Sequence, residues 1–155
     1  LFNGCCDEVS GLGSGPAKSM VEELGPGRVY ARHMRRVHDL VHGKFGKQML
    51  MWGDIALGDP VIQKELPREI TVVNWAYDDR PSFEGQIKPF VDAGYSYLVA
   101  PGISCWSRIL PDFNVATTNI FNFCRDGAKH GAIGVLNTTW DDDGENLFNF
   151  NWHGL

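Results

Sequence analysis

The chain has 155 residues, of which 43% are hydrophobic, and a formal net charge of −5 at pH 7. This length suits one domain, and the acidic balance argues against nucleic acid as a partner, because nucleic acid requires a basic surface. No stretch of about 18 apolar residues occurs, so the sequence predicts no membrane-spanning helix and no membrane partner. The four cysteines do not resemble a disulfide framework and are expected to be free thiols. The cellular compartment stays open.

Five short apolar runs alternate along the chain with longer amphipathic or polar segments. They cover residues 1–6, 48–52, 70–75, 95–100 and 132–137. Nearly continuous apolar runs of this length are typical of strands buried on both faces, so the runs predict parallel strands. The first run has the character of the interior of a core strand, and we therefore expect the chain to belong to a longer protein.

Apolar residues at helical spacing predict helices between these strands. The three clearest helices are expected over about residues 29–41, 83–91 and 114–130. Ser82 is a candidate N-cap for the second of these helices, and Gly94 is its expected end. A further helix is expected between the second and third runs. The alternation of strands and helices predicts an α/β fold.

Acidic or aromatic residues follow all five predicted strands. An open, doubly wound sheet gathers its ligands mainly at one switch point, whereas a (β/α)8 barrel collects side chains from every strand end at one mouth. The distribution therefore favours a partial (β/α)8 TIM barrel containing about strands 4 to 8 with the intervening helices. Since five strands cannot close a barrel of eight, about three strands are expected upstream, and residues 1–155 form a single partial catalytic domain.

Four tryptophans stand near the ends of four different predicted strands. They are Trp52, Trp75, Trp106 and Trp140. Sugar rings present apolar C–H faces that lie flat on indoles, so these residues predict a carbohydrate site. The alternative is that the indoles fill the core or the space between helices.

Asp7 and Glu8 directly follow the first apolar run. Two adjacent carboxylates in that place are costly unless a ligand or a reaction uses them. Neighbouring residues that leave a strand point in different directions, so the pair can reach two parts of one ligand. The alternative is an exposed loop pair that caps the next helix.

The order of these motifs resembles that of glycoside hydrolase family 20, the β-N-acetylhexosaminidases, over residues 1 to about 145. That family carries an Asp-Glu pair after its fourth barrel strand and tryptophans or Ala-Pro after later strands. The corresponding segments here are Phe2-Asn3-Gly4-Cys5-Cys6-Asp7-Glu8, Met51-Trp52-Gly53-Asp54, Val73-Asn74-Trp75, Val99-Ala100-Pro101 and Trp140-Asp141-Asp142. Five motifs in this order are more specific than any one of them alone.

The resemblance implies a retaining mechanism in which the 2-acetamido oxygen of the substrate attacks the anomeric carbon. It implies that Asp7 orients the acetamido N–H and stabilises the developing positive charge. It implies that Glu8 protonates the glycosidic oxygen and then deprotonates water, helped by an apolar surrounding rich in tryptophan. The implied sugar-binding residues are Trp52, Trp75 and Trp140, with Asp142 bonding hydroxyls.

The segment after Pro101 departs from the family pattern. Many relatives have a tyrosine there that holds the acetamido carbonyl, whereas this chain has Gly-Ile-Ser-Cys-Trp over residues 102–106. Either Tyr77 or Trp106 is expected to take over part of that contact, or the chain belongs to a divergent subgroup. The preference between GlcNAc and GalNAc therefore stays open.

No cofactor and no metal site is expected from the sequence. Of the histidines at positions 33, 38 and 42, only the last two have same-face spacing, and residues 141–145 lack the spacing of a calcium loop. Residues 11–19 resemble a phosphate-binding loop, but Ala17 stands where that motif requires glycine. A flexible loop with Lys18 directed to solvent is expected instead.

Other functions stay open beside a hydrolase that acts on glycans containing N-acetylhexosamine. One is a carbohydrate-binding barrel that has lost catalysis, and another is a different family of retaining glycosidases. These 155 residues alone are expected to be an inactive half-barrel that self-associates through exposed sheet edges or requires the other half.

Overall fold

The computed structural model describes residues 1–140, and residues 141–155 lie outside the described part of the chain. The strands are β1 (Phe2–Asn3), β2 (Met49–Trp52), β3 (Thr71–Trp75) and β4 (Tyr97–Ala100). The helices are α1 (Lys18–Leu24), α2 (Pro26–His38), α3 (Asp54–Gly58), α4 (Pro60–Glu65), α5 (Glu84–Asp92) and α6 (Phe113–Lys129). None of the helices in this part of the chain combines the length and the apolar character needed to cross a lipid bilayer.

Within residues 1–140, the four strands form one parallel sheet in the order β1-β2-β3-β4. β1 pairs with β2 so that Phe2 lies opposite Met49 and Asn3 lies opposite Leu50. Parallel strands need crossover connections, and the helices between them provide these. The predicted α/β fold is therefore confirmed.

The chain divides into two compact units. The first contains Leu1–Val72 and Pro89–Ser96, and the second contains Val73–Lys88 and the residues from Tyr97 onward. Each unit has its own set of buried side chains.

In the first unit, α2 packs against α1 and α4 and buries Tyr30, Ala31 and Met34. The helix predicted over residues 29–41 is confirmed, and it continues as a π-helical segment over Asp39–Lys44. Apolar residues spaced three and four apart place these side chains on one stripe, which is why α2 has a buried face.

Two local predictions for the first unit are wrong. The first strand ends at Asn3 rather than at residue 6, because Cys5 and Cys6 have φ angles of 55° and 75° and leave the extended region. The expected flexible loop over residues 11–19 contains a 3-10 turn at Gly15–Ala17 and the first residues of α1. Lys18 does point to solvent, with its side chain 69% exposed.

In the second unit, α6 begins at Phe113 because the Asp112 side chain accepts the Val115 N–H at 3.2 Å. Phe123 of α6 stacks on Phe83 with 4.3 Å between ring centroids, and both rings are fully buried. The N–H of Glu84, the first residue of α5, donates to Ser82 Oγ at 3.3 Å. Ser82 therefore bonds the start of α5, although Phe83 and not the predicted Ser82 directly precedes the helix.

The fifth predicted strand, residues 132–137, forms isolated parallel bridges rather than a continuous strand. Val135 pairs with Val99, and Thr138 pairs with Gly102. Backbone hydrogen bonds support this pairing, including Leu136 N–H to Val99 O at 3.0 Å. Val135 is 50% exposed, so this segment is an open edge of the sheet within the described residues.

Candidate functional site

The predicted acid pair lies on a sharply bent segment that follows β1, residues 5–8, here called the acid turn. Cys5, Cys6 and Glu8 have φ angles of 55°, 75° and 50°. Residues other than glycine rarely adopt this left-handed region, and such conformations persist at functional sites when the surroundings hold them. The acid turn is therefore a strained segment at the carboxyl end of a parallel strand.

Hydrogen bonds from three other elements hold the acid turn. The Trp52 N–H of β2 donates to Cys5 O at 3.0 Å, and the Tyr30 hydroxyl of α2 donates to Cys6 O at 2.9 Å. The Glu8 N–H donates to Asp54 Oδ2, at the start of α3, at 2.9 Å.

The acid turn carries concentrated negative charge. Burial, reinforced by Cys5 and by the charges of Asp7 and Asp54, raises the pKa of the Cys6 thiol to about 11. Burial, and after it the proximity of Cys6 and the charges of Asp54 and Asp7, also raises the pKa of the Tyr30 hydroxyl. Cys6 and Tyr30 are therefore neutral at pH 7, and the Tyr30 hydroxyl keeps the proton that it donates to the turn.

The two predicted catalytic carboxylates differ in exposure. Asp7 is half-buried, whereas Glu8 is exposed to solvent. The apolar surrounding expected for Glu8 is thus not observed around it. Trp52, the tryptophan predicted nearest to the pair in sequence, is only 6% exposed and belongs to the core of the first unit.

A cavity of about 480 Å³ lies beside Cys6 in the first unit. Its walls are mostly apolar, including Leu12, Met20, Val29 and Met34. Neither carboxylate of the acid turn lines it, and it contains no tryptophan. Two arginines and a histidine of α2 also line it. Because the predicted carboxylates and tryptophans are absent from its walls, this cavity is not the carbohydrate site predicted from the sequence.

The second unit brings four predicted sugar-binding residues together in an aromatic cluster: Trp75, Tyr77, Trp106 and Trp140. Trp75 ends β3 and Tyr77 follows it by two residues, and their rings stack at 5.1 Å. The Trp106 ring lies 5.0 Å from the Tyr77 ring and is tilted by 56°. Trp140 Nε1 donates to the Tyr77 hydroxyl oxygen at 2.9 Å.

Asn119 of α6 holds the backbone on which the aromatic cluster stands. Its Nδ2 donates to Ala76 O at 2.9 Å and to Asp78 O at 2.8 Å, on either side of Tyr77. Its Oδ1 accepts the Gly102 N–H at 3.1 Å. Asn119 is fully buried, so these three bonds are made in a low-dielectric environment where each counts more.

Gly102 lets the Tyr77 ring pack directly against the backbone. A Cβ at this position would lie 2.8 Å from Tyr77 Cδ1 and 2.8 Å from Thr138 Oγ1, which is too close for any side chain. Glycine is therefore required here by the contact with Tyr77.

The remaining predictions concern polar ligands and metals. Asp142 lies outside the described residues.

Trp75 Nε1 is buried and has no hydrogen-bond partner within residues 1–140. In the same part of the chain, no group of three His, Cys, Asp or Glu side chains is placed to hold a metal ion. His38 and His42 do share a face of their helix and stack at 5.5 Å.

Several residues that shape these two sites carry no clear signal in the sequence. The sequence around Tyr30 indicates only the apolar stripe of a helix and not a hydrogen bond from its hydroxyl. Asn119 lies within a predicted helix, and nothing in the sequence around it indicates that its side chain is buried. The sequence places Asp54 just after a predicted strand. Its hydrogen bond to the Glu8 N–H is not predictable, because the two residues are 46 positions apart in the sequence.

Comparison with protein-family models finds no matching family, and comparison with curated proteins finds no significant match. A functional assignment therefore rests on the acid turn and the aromatic cluster themselves, together with the order of the sequence motifs.

Proposed function

We propose that the gene product containing this chain is a glycoside hydrolase that removes a terminal β-linked N-acetylhexosamine with retention of configuration. The observation that carries the proposal is the acid turn. Two adjacent carboxylates lie in a segment with three left-handed residues, and hydrogen bonds to three other elements hold that segment. Backbone strain of this kind persists where a site needs side chains in a defined geometry.

In this proposal Asp7 and Glu8 have different tasks. Asp7, half-buried, accepts the acetamido N–H and stabilises positive charge as the acetamido oxygen attacks the anomeric carbon. Glu8, exposed and able to exchange protons with solvent, donates a proton to the departing oxygen. It then removes a proton from the water that opens the oxazolinium intermediate, so the enzyme ends in its starting state.

The aromatic cluster supplies binding in this proposal. Its stacked and tilted rings offer flat apolar surfaces of the kind that pyranose C–H faces contact. The Trp106 and Tyr77 rings lie 5.0 Å apart, so both can offer their faces to a sugar ring. Trp52 is buried and, in this proposal, shapes the site through its backbone bond to Cys5 rather than by stacking on the sugar.

The parent fold in this proposal is a (β/α)8 barrel to which this chain contributes about strands 4 to 8. The strand order β1-β2-β3-β4 follows the chain without the reversal that defines a doubly wound sheet. The bridges of Val135 and Thr138 continue the same direction beyond β4. A complete barrel would place further walls around Glu8, which is exposed here.

The proposal is tested by incubating the full-length gene product with 4-nitrophenyl N-acetyl-β-glucosaminide and recording the first-formed sugar by NMR. We expect release of nitrophenol and β-configured N-acetylglucosamine before mutarotation. Release of the α-anomer first would contradict the retaining mechanism.

A second candidate function is carbohydrate binding without hydrolysis, and the solvent exposure of Glu8 favours it. Quenching or a shift of tryptophan fluorescence on adding N-acetylglucosamine, with no nitrophenol released over days, would select this alternative.

A further inference from the structure

We propose that Tyr30 and Asp54 are positioning residues that fix the acid turn in its reactive geometry. This inference rests on the proposed function, because it assigns them a role in the use of Asp7 and Glu8. Neither residue needs to touch the substrate. Each acts through a hydrogen bond to the backbone of the turn.

Tyr30 holds the centre of the acid turn. Its side chain is 3% exposed, anchored in the buried face of α2, and its hydroxyl reaches Cys6 O at 2.9 Å. Cys6 directly precedes Asp7, so a shift of this carbonyl rotates the peptide that carries the Asp7 side chain. The bond also joins residues 24 apart in sequence, so no local turn geometry accounts for it.

Asp54 holds the far end of the turn. Its Oδ2 accepts the N–H of Glu8 at 2.9 Å, across 46 residues of sequence. Its Oδ1 is buried and has no hydrogen-bond partner within residues 1–140. Asp54 is half-buried, so an oxygen shielded from water without a hydrogen-bond partner has a free-energy cost.

The two bonds explain how a strained segment stays ordered. Three residues other than glycine occupy the left-handed region within residues 5–8, and such a segment relaxes to extended backbone unless it is held. Loss of either bond is therefore expected to broaden the positions of the carboxylates. Misplacement by about 1 Å in an active site lowers the rate by about 10²-fold.

The test compares Tyr30→Phe with Tyr95→Phe in the full-length gene product. Tyr95 is a matched control in the same unit: it is 6% exposed, and its hydroxyl donates to Gln63 O at 2.7 Å. We expect Tyr30→Phe to lower kcat by about 10-fold to 100-fold with KM changed less than about threefold. Tyr95→Phe is expected to leave both constants near those of the unsubstituted protein. Equal effects of the two variants would overturn the proposal.

Asp54 is tested by rescue. Asp54→Asn keeps an oxygen that can accept the Glu8 N–H, whereas Asp54→Ala removes the acceptor. We expect the asparagine variant to retain most of kcat and the alanine variant to lose about 10-fold to 100-fold. If both variants lose the same factor, hydrogen bonding to the turn is not the role of Asp54.

A readout that does not need hydrolysis separates this inference from the proposed function. The Cys6 thiol donates to Gly4 O at 2.7 Å and is partly buried, so its alkylation by iodoacetamide reports opening of the turn. Mass spectrometry is expected to show faster Cys6 labelling in Tyr30→Phe than in Tyr95→Phe, with the buried Cys105 as an internal reference. If the unsubstituted protein does not hydrolyse the substrate, the proposed function fails, and unchanged labelling would separately overturn the positioning role.

Discussion

Replacing Glu8 by glutamine is expected to lower kcat/KM for aryl N-acetyl-β-glucosaminides by about 10²-fold to 10⁴-fold, the range that general acid catalysis supplies. The glutamine side chain keeps the size of the original one but has no acidic proton to give to the leaving oxygen. The loss should be larger for a leaving group of high pKa, which needs protonation, than for dinitrophenol, which does not. Steady-state kinetics with a series of aryl glycosides measures this difference.

The matched control for that variant is Glu22→Gln. Glu22 lies on α1, is 66% exposed and forms a 3.9 Å ion pair with Lys18, so removing its charge is expected to leave kcat/KM unchanged. Asp7→Asn is expected to lower kcat/KM for every leaving group by a similar factor, because it acts on the acetamido group. An equal loss for all leaving groups in Glu8→Gln would contradict the role of Glu8 as the acid.

Replacing Asn119 by alanine is expected to destabilise the protein by about 3–5 kcal/mol, since it leaves buried backbone groups without their partners at about 1–3 kcal/mol each. The groups affected are Ala76 O, Asp78 O and the Gly102 N–H. The backbone on both sides of Tyr77 loses its anchor, so weaker sugar binding is expected as well. Urea unfolding followed by tryptophan fluorescence, together with KM, measures both effects.

Asn122→Ala is the control for this variant, because it makes the same substitution one turn later on α6. The Asn122 side chain bonds Arg80 O and Arg125 at a more exposed place. Both variants replace asparagine by alanine within α6, so the gain in helix propensity is the same for both. The two variants therefore differ in how deeply the lost hydrogen bonds are buried. A destabilisation of Asn122→Ala as large as that of Asn119→Ala would show that burial of the Asn119 bonds does not explain its effect.

Periodicity predicts most of the fold. The apolar runs at residues 48–52 and 70–75 form β2 and β3 with boundaries shifted by one residue. Burial on both faces imposes continuous apolar sequence on such strands, so the signal is strong. The first and fifth runs are less regular than predicted, because the acid turn bends the first and the open sheet edge leaves the fifth with isolated bridges.

The candidate site is predictable only in part. The sequence predicts Trp75 and Tyr77 as binding residues at the end of one strand, and their rings stack. The supports of the site are not predictable, because Tyr30, Asp54 and Asn119 act through bonds between residues distant in sequence. The exposure of Glu8 depends on which elements pack around it in the folded protein, and the local sequence pattern does not predict that packing.

The most direct test of the central claim compares two substrates that differ only at the 2-position of the sugar. The full-length gene product is assayed with 4-nitrophenyl N-acetyl-β-glucosaminide and with 4-nitrophenyl β-glucoside. If the acetamido oxygen is the nucleophile oriented by Asp7, kcat/KM should be more than about 10³-fold higher for the acetamido sugar. Comparable hydrolysis of the glucoside would contradict the account, since that sugar has no acetamido group to attack its own anomeric carbon.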